Sequence, residues 1–377
     1  MKGIAAVLLL IVFAGMPILA NTPAQTRAKK LGLGMNFSYL ENWWLGTKEK
    51  SYADFMKPAE AEMKLGVFKS ISQAGFKTVR IPINFGAWAS YEQPYRWTTP
   101  KGLEIADKFI DEALGEGLFV IIDLHHVEFD KTIKGADSTE RLAWIWKEIA
   151  HRYKGLDPEK TFFELRNEPH DIKAEDWRTQ AVELIKTVRQ VAPDHTLMVG
   201  FHDWNSRQAM IDSKPFADKN IIYTFHYYDP FIFTHQGATW SSAGLPELRG
   251  LPFPSNKKKI EVPITAKGTW IEERIKAYSD DSRASRMFDD LKAAKNWSVK
   301  NDVPIFLGEF GSFGNFAAMD DRCRHADVLY AALGKLDIPN AWWEWDGGFA
   351  MFDKGTTAIS NCMQAAVNKF SETKAEK

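Results

Sequence analysis

Apolar, strand-like runs alternate with amphipathic helical stretches along most of the chain. Two of the runs end in a glutamate: the run that begins at Thr161 leads to Glu168 and Pro169, and the run that begins at Pro304 leads to Glu309. Because Pro169 cannot donate a sheet hydrogen bond, we expect the first of these strands to end at Glu168. The runs number eight and cover residues 33–37, 78–83, 118–124, 161–165, 196–201, 221–225, 304–307 and 341–344.

Apolar residues at helical spacing fill the intervals between the runs. They recur in residues 103–113, in residues 142–153 and from Ala174 until Pro193 ends the stripe. Eight strand-helix units predict an α/β fold, the (β/α)8 or TIM barrel, whose usual size is about 250 residues plus insertions. A doubly wound open sheet is the rival architecture. The first run lacks the glycine fingerprint that a dinucleotide site would require after it.

The length beyond a minimal barrel is concentrated after the sixth strand. Residues 229–285 are rich in Pro, Gly, Ser and Lys, and a helix is predicted at Ser285–Lys300. We therefore predict one enlarged loop on the face where the strands end, and one catalytic domain that spans residues 21–377.

The first twenty residues have the pattern of a secretory signal peptide. Lys2 precedes the apolar run Ile4–Ala14, and small residues follow, so we expect cleavage after Ala20 or Ala24. The apolar run is too short to cross a bilayer comfortably, and later stretches are less apolar. The sequence thus predicts a secreted or periplasmic protein with no membrane partner.

Charge and cysteine content exclude some classes of protein. A net charge of −1 gives no electrostatic reason to expect a nucleic-acid partner, which requires a clustered basic face. Two cysteines, Cys323 and Cys362, are too few for a structural zinc site. In an oxidising compartment they could form a disulfide or remain buried thiols, and the sequence leaves both open. We expect a monomer.

Polar or aromatic residues directly follow the apolar runs. In a parallel barrel these positions converge at one end, where catalytic side chains lie. Each residue taken alone is more often a packing or hydrogen-bonding residue, but their recurrence at successive strand ends favours a functional site. The residues are Asn36, Arg80, His125, His126, Asn167, Glu168, His202, Asp203, Trp204, His226, Tyr228, Glu309 and Trp343.

Two glutamates surrounded by aromatic residues are typical of glycosidic bond cleavage. One carboxylic acid protonates the leaving oxygen, and the other carboxylate stabilises or captures the oxocarbenium-like carbon. The two groups need different surroundings. We expect Arg80 and Tyr228 to keep Glu309 ionised, and partial burial with the opposing negative charge to keep Glu168 protonated. Asn167 can orient a substrate hydroxyl.

Fourteen tryptophans provide candidate sugar-stacking surfaces. Trp204, Trp240 and Trp343 lie at strand ends or in the enlarged loop, where we expect them to contact ligand. Four others lie in predicted helices and are expected to pack in the core: Trp144, Trp146, Trp177 and Trp297. The roles of Trp43, Trp44 and Trp88 are left open.

The motifs that carry these residues resemble glycoside hydrolase family 5. They are VRIPINF, DLHH, FFELRNEPH, FHYYDPFIFTHQGATW, FLGEFG and WWEWDGGFAMFD, and they occur in the family's order. The resemblance implies a retaining mechanism with Glu168 as acid/base and Glu309 as nucleophile, a polysaccharide substrate, and no metal or cofactor. Several motifs are similar to the endo-β-1,4-glucanase branch, in which the cleft would be lined by His125, His126, Asn167, Trp204, His226, Tyr228, Trp240 and Trp343.

Three alternatives remain open. A β-mannanase or glucomannan-active enzyme of the same family is one, because Tyr39 stands where the glucanase branch usually has asparagine. A non-catalytic sugar-binding barrel is another, although it predicts a missing carboxylate and both are present. A metal-dependent barrel hydrolase is the third, although the first strand lacks a His-x-His pair. Its possible ligands are His125, His126, His202, Asp203, His226 and Asp346.

Overall fold

A computed structural model describes residues 20–42, 52–125, 135–352 and 358–376. Eight parallel strands pair in chain order, and the last pairs with the first to close a barrel. This confirms the predicted (β/α)8 fold. The strands are β1 (Leu33–Asn36), β2 (Thr78–Ile83), β3 (Phe119–Leu124), β4 (Thr161–Glu164), β5 (Thr196–Val199), β6 (Ile221–His226), β7 (Ile305–Phe310) and β8 (Asn340–Trp342).

Helices surround the barrel and also begin several of its loops. The predicted stripes at 103–113 and 142–153 lie in helices, and the stripe that begins at Ala174 lies in a helix that ends at Val191, before Pro193. The helices are α1 (Pro23–Leu31), α2 (Tyr39–Asn42), α3 (Tyr52–Lys64), α4 (Val67–Gln73), α5 (Phe85–Trp88), α6 (Pro100–Gly115), α7 (Thr139–Tyr153), α8 (Ala174–Val191), α9 (His202–Asn205), α10 (Arg207–Asp212), α11 (Phe231–Thr234), α12 (Trp270–Asp281), α13 (Ala284–Asn301), α14 (Met319–Leu336) and α15 (Asn361–Ala375).

The fourth strand ends earlier than we predicted. β4 ends at Glu164 rather than at Glu168. Leu165 and Asn167 still donate main-chain hydrogen bonds to Met198 and Leu124, at 3.0 Å each, but outside regular strand pairing. Glu168 has a φ of 43°, which a strand cannot accommodate. The backbone therefore leaves the sheet before Pro169 is reached.

The predicted enlarged loop at 229–285 lies between β6 and α13, and it contains the helices α11 and α12. Ile271, Ile275 and Tyr278 form the buried stripe of α12. The Thr269 hydroxyl caps the helix by accepting a hydrogen bond from the Ile271 amide at 3.2 Å. The surrounding Pro, Gly, Ser and Lys residues obscured this short periodic pattern in the sequence.

Helix α1 closes the end of the barrel opposite the candidate site. Thr22 and Gln25 form a capping box at its start. Its residues Ala24, Ala28 and Leu31 pack against the interior side chains of six strands, Ile121, Phe162, Met198, Ile222, Phe306 and Ala341. Thr22 and Ala24 therefore belong to the folded barrel.

A disulfide joins Cys323 in α14 to Cys362 in α15, which decides between the two states that the sequence left open. In the described part of the chain, every helix is too short or too polar to cross a membrane.

Candidate active site

The structure brings most of the predicted site residues together at the C-terminal ends of the strands. Arg80 lies on β2, His125 follows β3, Asn167 and Glu168 follow β4, and Trp343 follows β8. His226 ends β6, Tyr228 lies two residues beyond it, and Glu309 lies within β7. His126 lies outside the described residues.

The two glutamates face each other across the barrel. One carboxylate oxygen of Glu168, one of Glu309 and one ring nitrogen of His226 all lie within 4.8 Å of one another. His226 Nδ1 is 2.7 Å from Glu168 Oε1 and 3.5 Å from Glu309 Oε2. Glu168 is partly exposed and Glu309 is almost fully buried. The two carboxylates therefore have the different surroundings that the proposed chemistry requires.

Glu309 has two hydrogen-bond donors aimed at its carboxylate. Arg80 Nη1 donates to Oε1 at 2.8 Å, and the Tyr228 hydroxyl donates to Oε2 at 2.9 Å. Burial raises the pKa of Glu309, while His226, Arg80 and Tyr228 lower it. Arg80 and Tyr228 thus act in the direction we expected, but burial has the larger effect.

His226 and Tyr228 are both neutral in this environment. Burial lowers the pKa of His226 to about 4, so the imidazole is uncharged near pH 7. Burial and the nearby Glu309 raise the pKa of Tyr228 well above its usual value. Tyr228 therefore keeps its hydroxyl proton and can donate a hydrogen bond. The neutral His226 ring carries one proton, which it can share by hydrogen bonding with the two glutamates.

Arg80 lies at the base of the site and contacts several of its polar side chains. Its side chain is 0% exposed and contacts carboxylates from three other strands. The contacts to Glu164 are bidentate, at 2.7 and 3.0 Å. The remaining contacts of the guanidinium are with Asn36 Oδ1 at 2.9 Å, Asn167 Oδ1 at 2.8 Å, Asp123 Oδ2 at 3.0 Å and Glu309 Oε1 at 2.8 Å.

Asp123 and Glu164 were not identified from the sequence. Each lies inside an apolar strand, and the two are register partners between β3 and β4. The sequence signal that could have identified both residues is a carboxylate within an apolar run, because an unpaired charge is rarely buried in a folded protein. Burial raises the pKa of Asp123 well above its usual range, and Arg80 opposes that effect.

His125 lies between the hydrogen-bond network of Arg80 and the ring of Trp343. Its Nδ1 is 2.7 Å from Asp123 Oδ2, and its Nε2 is 3.5 Å from Asn167 Nδ2. The ring stacks on Trp343, with centroids 5.4 Å apart and an interplanar angle of 12°. Asp123 and Trp343 together fix the orientation of His125.

A left-handed turn presents Trp204 to solvent. Asp203, Trp204 and Asn205 have φ values of 59°, 59° and 53°, a conformation that bulky residues rarely adopt. The Trp204 amide donates to Pro169 O at 3.2 Å, and its ring stacks on His170 with centroids 3.8 Å apart. The indole remains 51% exposed. Backbone strain of this kind is often retained where it positions a functional side chain.

The other tryptophans differ in their exposure to solvent. Trp240 is 57% exposed and packs edge-on against Phe313 and Phe349. Trp88 is buried and is a packing residue. The helical tryptophans 146, 177 and 297 are buried, and Trp144 is partly buried. Trp43 and Trp44 lie outside the described residues.

The predicted alternative metal ligands do not form a cluster in the described part of the chain. Within these residues, the one group with metal-ligand spacing consists of Glu168, His226 and Glu309. It therefore shares only His226 with the set that a metal-dependent hydrolase would use. Arg80 already places a positive charge 2.8 Å from Glu309, which disfavours a second cation there.

This protein has a closed parallel barrel with two facing carboxylates at the C-terminal end of its strands. These features place it in the class of (β/α)8 proteins with a paired-carboxylate site. The cellulase family model, glycosyl hydrolase family 5, matches residues 41–348. The chain therefore belongs to glycosyl hydrolase family 5, and the resemblance found in its motifs is confirmed.

Bacterial endoglucanases are among the relatives. Endoglucanase 3 of Fibrobacter succinogenes is 27% identical over 91% of this chain and 54% of its own length. Endoglucanase H of Acetivibrio thermocellus is 28% identical over 85% of this chain and 30% of its own length. The chain thus spans about half of the first relative and under a third of the second.

The solved structures include Thermotoga maritima Cel5A in complex with cellobiose. It is 30% identical, has a TM-score of 0.73, and the match covers 91% of this chain and 99% of that chain. The same enzyme in complex with mannotriose is 29% identical, with a TM-score of 0.71 and coverage of 91% and 99%.

Proposed function

We propose that this protein is a retaining endo-β-1,4-glucanase that hydrolyses β-1,4 or mixed-linkage glucans. The spacing of Glu168 and Glu309 is the observation that carries the proposal, because oxygens of the two carboxylates lie within 4.8 Å of each other. Retaining glycosidases hold these groups about 5–5.5 Å apart, whereas inverting enzymes need about 6.5–9.5 Å to admit a water molecule.

The two glutamates take opposite roles in a double displacement. Glu309 attacks the anomeric carbon while Glu168 donates its proton to the departing glycosidic oxygen, which leaves a glycosyl ester on Glu309. Glu168 then removes a proton from water, and the water oxygen displaces Glu309 from the anomeric carbon. Arg80 and Tyr228 stabilise the Glu309 carboxylate as it departs, since both donate to its oxygens.

The exposed aromatic residues support a polysaccharide substrate. Trp204 and Trp240 present large apolar faces that complement the C–H faces of pyranose rings. The endoglucanase relatives favour glucan. The mannotriose complex of a 29% identical enzyme favours glucomannan or mannan as the second candidate. Initial rates on carboxymethyl cellulose, barley β-glucan, xyloglucan and glucomannan distinguish these substrates.

The proposed enzyme acts outside the cytoplasm as a monomer. The signal-peptide pattern of residues 1–20 and the disulfide between Cys323 and Cys362 support an oxidising compartment. Of the two cleavage positions, Ala20 fits the fold better, because cleavage after Ala24 would remove the Thr22 cap of α1. Residues 21–377 then form the mature domain.

The stereochemical test uses the Glu309→Ala variant. We expect it to lose hydrolysis and to regain turnover with azide, yielding a glycosyl azide of inverted configuration, because the anion occupies the space of the missing carboxylate. Proton NMR of the wild-type reaction should show retention. The control is Glu159→Ala, which removes a partly exposed carboxylate that pairs with Arg27. An inverted wild-type product would refute the nucleophile assignment.

The acid/base role is tested by Glu168→Ala on two leaving groups. The variant should lose most activity on unactivated glucans and far less on aryl glycosides, whose leaving groups need little protonation. Equal losses on both substrates would assign Glu168 a structural role. Full activity after exhaustive chelation is expected, and loss with rescue by one metal would favour the metal-dependent alternative.

A further inference from the structure

Trp270 is an exposed aromatic residue that neither the fold nor the proposed mechanism accounts for. It is the first residue of α12, in the enlarged segment between β6 and β7. Its side chain remains 49% exposed. One side of its indole packs on Phe231, with ring centroids 5.2 Å apart and an interplanar angle of 59°. Burial in a core therefore does not explain the choice of such a large apolar residue at this position.

A continuous series of rings connects Trp270 with the candidate nucleophile. Phe231 stacks on His235, with centroids 4.0 Å apart and planes 8° from parallel. His235 packs edge-on against Tyr228 at 5.0 Å. The Tyr228 hydroxyl donates to Glu309 Oε2 at 2.9 Å. Three ring-to-ring steps of 4.0 to 5.2 Å thus separate Trp270 from Tyr228, the side chain that donates to the candidate nucleophile.

Helix α12 holds Trp270 in a defined position. The next turns bury Ile271 and Ile275 completely or almost completely, and the Tyr278 hydroxyl donates to Pro252 O at 2.5 Å. The Thr269 cap fixes the backbone directly before the indole. An aromatic ring on an anchored helix end loses little conformational entropy when it binds a ligand, which favours a binding role.

We propose that Trp270, supported by Phe231, is an additional subsite that stacks on a distal sugar ring of a long β-glucan chain. The inference rests on the proposed function. Sugar rings are the occupant that the chemistry favours, because an indole that packs on Phe231 and remains 49% exposed offers an apolar face that complements a pyranose ring. The subsite should contribute to long substrates and leave short substrates unaffected.

The kinetic test compares Trp270→Ala with Ile264→Ala, which truncates an 81% exposed side chain in the same segment. For Trp270→Ala we expect kcat/KM on barley β-glucan to fall about three- to tenfold, mainly through KM. On an aryl cellobioside kcat/KM should stay unchanged, and Ile264→Ala should resemble the wild type on both substrates. Equal losses on the long and short substrates, or no loss on the long one, would overturn the subsite.

A binding measurement separates failure of the subsite from failure of the proposed function. In the Glu309→Ala background, native gels that contain soluble barley β-glucan should retard the protein less when Trp270→Ala is added. Equal retardation of the two variants overturns the subsite whatever the wild-type activity is. Wild-type inactivity on every glucan would instead refute the proposed endoglucanase function.

Discussion

Replacement of Arg80 by methionine should destabilise the protein in a pH-dependent way. Arg80 is completely buried and lies within 2.7 to 3.0 Å of carboxylate oxygens of Asp123, Glu164 and Glu309. Methionine keeps part of the apolar volume but removes the positive charge and all the donated hydrogen bonds. The variant would leave three buried carboxylates without their shared cation.

The expected loss is about 3–5 kcal/mol near neutral pH, the range for removing one partner of a buried ion pair. Although three carboxylates lose their partner, the loss of stability does not reach three times that value. A buried carboxylate without its partner takes up a proton instead of remaining charged. Since the stability of a folded domain is about 5–15 kcal/mol, the variant should remain folded in the absence of denaturant.

The loss should grow as the pH rises. Burial raises the pKa of Asp123 and of Glu309 above their unfolded values of 3.8 and 4.5, and Arg80 lowers both. Without Arg80 both pKa values rise further. A group whose pKa is raised on folding contributes its full stability below the unfolded pKa and loses it as the pH passes the folded pKa. The variant therefore approaches the wild type near pH 4 and diverges from it at higher pH.

Urea unfolding, followed by tryptophan fluorescence at about pH 5 and about pH 8, measures this difference. Arg322→Met is the matched control. Arg322 is also buried but donates to the main-chain carbonyls of Ser312, Phe349 and Ala350. Burial lowers its pKa only to about 10, so its loss should be the same at both pH values. Equal losses for Arg80→Met at the two pH values, or a loss below about 1 kcal/mol, would refute the reasoning.

Other predictions concern the disulfide, the buried side chain of Glu344 and the N-terminus of the mature protein. Replacing Cys323 and Cys362 by serine should lower stability by up to about 4 kcal/mol, since their separation of 39 residues sets the loop that the bond closes; an unchanged Tm would contradict this. Burial raises the pKa of Glu344 from 4.5 to about 8, so the wild type should lose Tm relative to Glu344→Gln as the pH rises from about 4.5 to about 8, and parallel profiles would argue against it. Intact mass of the secreted protein should place the N-terminus at Asn21, and a start at Gln25 would show that the α1 cap is dispensable.

The enlarged segment illustrates how far sequence patterns reach. A 12-residue helix that buries one face every third or fourth position was present in the sequence at Ile271, Ile275 and Tyr278. Its signal was weak because most helix stability comes from the surface that a helix covers, and that surface belongs to distant parts of the chain. The contact between Trp270 and Phe231 is likewise formed by residues far apart in sequence.

The sequence alone determined the alternation of strands and helices, and with it the barrel. Apolar periodicity is a local property, and eight repeated units leave few ways to bury their apolar faces. Closure of the barrel then places the residues that follow each strand at one end. For this reason Glu168 and Glu309, about 140 residues apart in the chain, could be paired before their distance was known.

Only the tertiary structure decided how that pair is supported. Asp123 and Glu164 were not identified from the sequence, and Arg80 was expected to support Glu309 alone. The barrel interior brings β2, β3, β4 and β7 side chains around one guanidinium, where burial and the shared charge shift the pKa of Asp123 and of Glu309. Those energies depend on distances and solvent exclusion among residues from separate strands, and neither quantity is encoded in any local stretch of the sequence.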